Sequence, residues 1–183
     1  MYDFELKWVG IVVGVILLVG HILAFVKREA TMELLRGFAR SVLWGRVLSF
    51  LAAGWAFWMV ITMDLGEFAH LRKLLIFGVP LGWILAIKFV DEFLSVRALG
   101  ILLLLAACPV LDAAFLRPET SRLLLVVLAY AWIIKGLFWV GMPFLFRDQV
   151  NWLLRDGDMK FRAACVAGVV YSGLILVCAL AFY

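Results

Sequence analysis

One lysine inside a long apolar run is the residue of this sequence best placed for chemistry. Lys135 lies within residues 123–146, with Trp132 three positions before it and Trp139 four positions after it. On a helix this spacing puts both indoles on the lysine's face, where a cation–π contact is available. A charge near the centre of a membrane span costs about 2.5–3.5 kcal/mol on insertion scales and by default indicates function. We therefore predict that Lys135 faces protein or water. The alternative is a lysine whose ammonium extends to the interface.

The two histidines offer less. His21 lies in the apolar run 8–26 and is predicted to make an interhelical hydrogen bond, with proton relay or haem ligation as alternatives. Haem between helices usually has two axial ligands at similar depth, and His70 is expected near the opposite face. Asp64, Glu67 and His70 contain one Glu-x-x-His motif, whereas di-iron bundles need it twice. We predict no metal and no other cofactor.

Acidic residues do not form a convincing catalytic pair. Asp91 and Glu92 adjoin Lys88 and Arg97 in a short connector, which leaves little room for an accessible cleft. The sequence also has no glycine-rich phosphate loop and no Ser–His–Asp set with loops large enough to hold it. The prediction is that the protein is not an enzyme.

Composition explains what must position these residues. Of the 183 residues, 67% are hydrophobic, and the mean hydropathy is +1.10. A helix needs about 20 apolar residues to cross the hydrocarbon, and its backbone must be hydrogen-bonded internally. The sequence predicts one all-α membrane domain, residues 1–183, with six transmembrane helices. The predicted spans are residues 8–26, 42–63, 73–90, 98–116, 123–146 and 163–182.

Basic residues predict the orientation. Eleven Lys and Arg fall in the first, third and fifth connectors, and five fall on the other side. Lys and Arg concentrate in the cytoplasm, so these three connectors are predicted to be cytoplasmic and both termini extracytoplasmic. The net charge of +4 reflects the same asymmetry and predicts no nucleic-acid partner.

Two cytoplasmic connectors resemble each other. Residues 28–36 and 147–155 share an Arg, an acid, four residues and Leu-Leu-Arg. The sequence therefore predicts three hairpins. Duplication and chance explain the match between the two connectors equally well. Each connector is predicted to be a short interfacial helix with its arginines at anionic headgroups; a generic basic loop is the alternative. The residues predicted to face acyl chains are Leu34, Leu35 and Phe38 in the first connector, and Val150, Leu153 and Leu154 in the second. The predicted headgroup residues are Arg28, Arg36, Arg147 and Arg155.

Small residues at every fourth position predict helix contacts, because close packing drives association in lipid. The fifth span lacks such a stripe and is bulky, which predicts that it faces lipid or a partner. The predicted stripes are Gly10 and Gly14; Gly45, Ser49 and Ala53; Gly78, Gly82 and Ala86; and Ala164, Gly168 and Ser172.

The last third of the chain carries a family resemblance. Pro143, Trp152 and Arg162 are followed by Gly168 and Gly173 in an apolar span. This order resembles that of the small two-span bacterial inner-membrane proteins of the YjeT type. The two earlier hairpins lack the Pro and Trp in place. The resemblance implies a hairpin and an inner-membrane location, and it implies no chemistry.

Together these features predict a non-enzymatic integral membrane protein that serves as an assembly, scaffold or interaction partner. Its predicted partners are the lipid bilayer, anionic headgroups, and other membrane proteins or further copies of itself. The alternative is a small carrier or channel with a midplane site near Lys135, for which Pro80 and Pro109 would kink the third and fourth spans. An enzyme acting on lipids or quinones is a third hypothesis, disfavoured by the lack of clustered polar residues.

Overall fold

The computed structural model describes residues 4–89, 93–155 and 158–183, so Asp91 and Glu92 lie outside the described residues. The described part folds into eight α-helices and two short 3-10 helices, Gly66–Leu71 and Thr120–Arg122. The α-helices are α1 Leu6–Val26, α2 Arg28–Phe38, α3 Val42–Thr62, α4 Arg72–Phe89, α5 Leu94–Ala114, α6 Leu123–Gly141, α7 Phe144–Leu154 and α8 Asp158–Ala181.

Six helical segments are long and apolar enough to cross a membrane, which confirms the predicted number and the all-α class. They correspond to α1, α3, α4 with its preceding 3-10 helix, α5, α6 with its preceding 3-10 helix, and α8. The predicted fifth span is too long at its carboxyl end, because α6 stops at Gly141. Pro143 disfavours a helical conformation at Met142, and α7 begins beyond it at Phe144.

The chain divides into two compact units. The first includes Gly37–Ala106 and Trp132–Phe146, and the second includes Tyr2–Arg36, Ala107–Ala131 and Arg147–Tyr183. The boundaries fall inside helices, so each unit contains whole spans and parts of others.

In the first unit, α3 starts from a capped turn and packs on α4 and α5. The Ser41 hydroxyl oxygen accepts a hydrogen bond from the Trp44 amide at 3.3 Å, which satisfies one of the free amides of the first turn. The buried Ser95 hydroxyl donates to the Phe38 carbonyl at 2.7 Å. A side chain at Gly45 would meet Leu94 and the Ser95 amide at 3.2 Å, so glycine lets α3 and α5 approach here.

In the second unit, α1 packs along α8. Two tyrosines add hydrogen bonds to backbone carbonyls: Tyr171 donates to Leu124 and Tyr183 donates to Ser121, at 2.7 and 2.8 Å. Burial raises the pKa of the Tyr183 phenol, so the hydroxyl stays protonated and available as the donor. These bonds fix α8 to the beginning of α6.

Candidate functional site

Glycines line the contact between α1 and α8. Gly10 and Gly14 are buried, and they face different parts of α8. A side chain at Gly10 would meet Ala179 at 2.9 Å, and one at Gly14 would meet Leu176 at 2.7 Å. Both distances are shorter than real contacts of a side-chain carbon, so this helix pair depends on glycine at both positions.

His21 occupies the same contact further along α1. Its imidazole lies directly on Gly168, where any added side chain would overlap the ring. The ring Nδ1 lies 2.7 Å from the Leu17 carbonyl of its own helix, and a carbonyl acceptor requires the proton on Nδ1. The predicted interhelical hydrogen bond is therefore corrected: the described hydrogen bond of His21 lies within α1, and the ring contacts α8 by packing.

The predicted stripe of α8 is only partly at the contact. Ser172 is fully buried, and its hydroxyl donates to the Gly168 and Val169 carbonyls at 2.8 and 3.0 Å. Ala164 is exposed, so its predicted packing role is wrong. A repeat of four advances about 400° on a helix of 3.6 residues per turn, so the stripe drifts by about 40° per step. The buried positions instead lie at steps of four, seven, three and four, at Phe161, Cys165, Ser172, Ile175 and Ala179.

The predicted glycine face of α4 contacts no other helix among the described residues of this chain. Gly78 and Gly82 are exposed, and a side chain at either would meet nothing within 4 Å. α4 is instead held to α3 by Trp83, whose indole donates to the Ser49 hydroxyl at 3.3 Å and packs on Phe50 with ring centroids 5.6 Å apart. Because Trp83 lies about 100° around the helix from Gly82, its docking turns the glycines away from α3.

α5 and α6 approach closely at a pair of glycines, Gly100 and Gly136, that the predicted stripes did not include. A side chain at Gly136 would lie 2.8 Å from the Gly100 carbonyl, and one at Gly100 would lie 2.9 Å from the Gly136 carbonyl. The two backbones therefore touch. The bulky fifth span thus has one packed face, and its exposed face carries Tyr130, Leu137 and Phe138. The available signal was the seven-residue spacing of Ala129 and Gly136, which are both buried.

Lys135 is exposed and nearer one end of its span than predicted. It lies six residues before the end of α6 at Gly141, or roughly 9 Å at 1.5 Å per residue. The near-central depth is therefore corrected, and the ammonium can reach the interface by extending its side chain. Within the described ranges Lys135 makes no cation–π contact with Trp132 or Trp139. Trp139 packs edge-on against Phe146 instead, at 5.1 Å.

Two connectors are closed in the same way by an arginine at the start of the returning helix. Arg72 donates to the Met63 carbonyl just after α3, at 2.7 Å. Arg122 donates to the Ala114 carbonyl at the end of α5, also at 2.7 Å. A short 3-10 helix precedes or includes each arginine. A cation at the carboxyl end of a helix satisfies a free carbonyl and complements the helix dipole.

The two connectors with matching sequences, 28–36 and 147–155, fall largely in the short helices α2 and α7. Arg36 and Arg155 are exposed, Arg28 is half-buried, and Arg147 pairs with neighbouring Asp148 at 3.3 Å. Their contact with headgroups stays a prediction.

Two apolar residues of these connectors, Phe38 and Val150, do not face acyl chains as predicted. Phe38 is buried, with its ring 5.5 Å from that of Phe146, and Val150 is also buried. Packing inside the protein removes both side chains from the lipid-facing surface of α2 and α7.

No convergent metal site is found within the described ranges, where no three His, Cys, Asp or Glu side chains group together. The Asp64 carboxylate accepts from the Gly66 amide at 3.0 Å, and the His70 ring lies 3.1 Å from the Glu67 carbonyl. These are local bonds that shape the connector between α3 and α4.

The fold and its contacts are those of a bundle of apolar helices packed through glycine, serine and alanine. No protein-family model matches the chain, and neither a curated protein nor a solved structure matches it.

Proposed function

We propose that this chain is a non-enzymatic integral membrane protein that binds another membrane protein, or a second copy of itself, through α4. The observation that carries the proposal is the exposure of α4: its span Gly66–Phe89 contributes no buried residue among those that the structure describes. Within that span Gly78 and Gly82 present a surface on which another helix could approach closely.

The exposure of Lys135 favours this reading over a carrier or channel. A residue on a transport path should line the interior of a bundle, whereas Lys135 lies on the surface. The exposed Phe138, three residues after Lys135 on α6, gives that surface the character of a lipid-facing or partner-facing helix.

The test is to purify the full chain in mild detergent from its own membrane and identify any stoichiometric protein. Gly78→Leu should abolish that association without lowering the thermal unfolding midpoint, because a side chain there meets nothing inside the chain. Gly54→Leu is the matched control, since Gly54 is an equally open glycine in α3. A wild-type protein that is monomeric and free of partners would contradict the proposal, as would a complex that survives Gly78→Leu.

The proposed location is a bacterial inner membrane, with the first, third and fifth connectors in the cytoplasm and both termini outside. The asymmetry of basic residues supports this orientation. Two of the five basic residues on the opposite side, Arg72 and Arg122, donate to carbonyls that end helices. Their placement therefore has a local structural reason. The YjeT-like order in the last third supports the proposed inner-membrane location. That order and the matching connector sequences support the proposed three-hairpin arrangement.

Labelling of engineered cysteines tests the orientation. Cys108, Cys165 and Cys178 are first replaced, and single cysteines are placed at Phe4 and at Asn151, both of which are exposed. We expect an impermeant maleimide to label Phe4→Cys from outside, and Asn151→Cys only after the membrane is permeabilised. The reverse labelling pattern would show that the orientation is wrong.

A further inference from the structure

A cleft of about 400 Å³ lies in the second unit, beside the connector between α5 and α6. Phe182, which forms one wall, directly follows α8, and the other walls lie just before α6 begins at Leu123. Ends of membrane spans lie at the depth of the headgroups, so a lipid headgroup can enter the cleft from the bilayer. The described lining residues are Glu119, Thr120, Ser121 and Phe182.

Glu119 is a polar group of this cleft whose carboxylate is not satisfied by the protein. Its Oε2 atom is buried and accepts no hydrogen bond from the described residues. Glu119 holds the N-cap position of the 3-10 helix Thr120–Arg122, yet its side chain makes no capping hydrogen bond. A buried charged acceptor without a donor is costly. This carboxylate therefore favours a ligand that donates hydrogen bonds.

Neighbouring donors of the protein do not compete for this carboxylate. The Tyr183 hydroxyl donates to the Ser121 carbonyl at 2.8 Å. Burial, and to a smaller extent the charge of Glu119, raises the pKa of that phenol, so its proton stays on this bond. Arg122 donates to the Ala114 carbonyl, and within the described ranges neither Arg122 nor Arg117 forms an ion pair with Glu119.

The chemistry of the cleft suits a primary ammonium group. Such a group has several N–H donors, and the hydroxyl oxygens of Thr120 and Ser121 can accept alongside the carboxylate. The Phe182 ring is 64% exposed, and an aromatic face attracts a cation. One carboxylate is too few for Ca²⁺, which takes about six to eight oxygen ligands.

The orientation of the carboxylate and the charge of the connector narrow the ligand further. Since no bond holds Oε2, rotation about the last side-chain torsion, which is broad in glutamate, can turn this oxygen towards the cleft. Arg117 lies two residues before Glu119 and is exposed. A ligand that carries a phosphate beside its ammonium group would suit both charges, because guanidinium donors match phosphate oxygens.

We propose that this cleft binds the phosphoethanolamine headgroup of a lipid, with its ammonium group held by Glu119. The proposed assembly function does not include this site, and the site does not depend on a protein partner.

The experiment is a titration of the purified full chain in non-ionic detergent with short-chain phosphatidylethanolamine, phosphatidylcholine of the same chain length, and O-phosphoethanolamine. Phosphatidylethanolamine should bind at least about tenfold more tightly than phosphatidylcholine, because a trimethylated ammonium group has no N–H to donate. It should also bind at least about tenfold more tightly than O-phosphoethanolamine, because only the lipid adds acyl chains that can lie against apolar surface.

Glu119→Gln keeps the size of the side chain and removes its charge. It should weaken phosphatidylethanolamine binding by about tenfold or more, as expected for the loss of charge-assisted hydrogen bonds. The thermal unfolding midpoint without lipid should not fall, since Oε2 has no described hydrogen bond to lose. Glu67→Gln is the matched control, because Glu67 is an exposed acid in the 3-10 helix between α3 and α4. This control should bind the lipid as the wild type does.

Three results would contradict the proposal. Equal binding of phosphatidylethanolamine and phosphatidylcholine would overturn recognition of the ammonium group, and this comparison needs only the wild-type protein. Equal binding of O-phosphoethanolamine and phosphatidylethanolamine would overturn the lipid assignment in favour of a free amine. Unchanged binding by Glu119→Gln, or an equal loss in Glu67→Gln, would overturn the site itself.

Discussion

Replacing Gly136 by alanine is expected to lower the free energy of unfolding by about 1–3 kcal/mol, the usual range for overpacking. The added carbon would lie 2.8 Å from the Gly100 carbonyl oxygen, and backbone, unlike a flexible side chain, cannot rotate away. α5 and α6 would have to separate along their contact. The effect should therefore exceed that of enlarging a residue that faces only side-chain ends. Unfolding of the purified protein in mild detergent, followed by circular dichroism, measures it.

Gly54→Ala is the control for this prediction, because Gly54 is also inside a span but has open space around it. Alanine favours a helix over glycine by up to about 1 kcal/mol in water, and the control measures that gain without a clash. Gly100→Ala should be as harmful as Gly136→Ala, and the double variant less harmful than the sum, because both break one contact. If Gly136→Ala is as stable as Gly54→Ala, the backbone contact is not present.

Replacing Gly168 by leucine should separate α1 from α8 and destabilise the protein by about 1–3 kcal/mol. The new side chain would need the space that the His21 imidazole occupies. The histidine cannot leave this position without giving up its bond to the Leu17 carbonyl, 2.7 Å long. The thermal unfolding midpoint of the purified protein is the measurement.

Gly173→Leu is the matched control on the same helix, since a side chain at Gly173 meets nothing within 4 Å. It should leave the midpoint nearly unchanged. His21→Ala should restore part of the stability of Gly168→Leu, because it frees the occupied space, while lowering the stability of the wild type. If Gly168→Leu and Gly173→Leu have the same thermal unfolding midpoint, this face of α8 meets lipid.

The number of spans could be predicted from the sequence, because a stretch of about 20 apolar residues has few alternatives to a transmembrane helix. The ends of the spans could not be predicted from hydropathy alone. Hydropathy alone extended the fifth span to residue 146, whereas the conformational effect of Pro143 ends α6 at Gly141. The depth of Lys135, and with it the strength of the functional argument, depended on that one boundary.

Which small residues pack could be predicted only in part. Gly10, Gly14 and Gly168 lie at helix contacts, whereas Gly78 and Gly82 face outwards. A spacing of four shows that a helix has a smooth face, but it does not show which neighbour covers it. For α4 the decisive residue is Trp83, whose bond to Ser49 sets the rotation of the helix. Partner choice of this kind depends on pairs of residues far apart in sequence, and one sequence does not reveal them.

The pairing of α1 with α8 has a consequence for the order of events during synthesis. α8 begins at Asp158, long after α1 ends at Val26. At about 5–20 residues per second, the ribosome needs roughly 7–26 s to make the intervening segment. During that interval the glycine face of α1, and His21 with it, has no α8 to cover it. Until α8 is made, the polar imidazole lies uncovered in the bilayer or against the insertion machinery. A delay in making α8 therefore lengthens the time in which α1 can pack against a wrong helix.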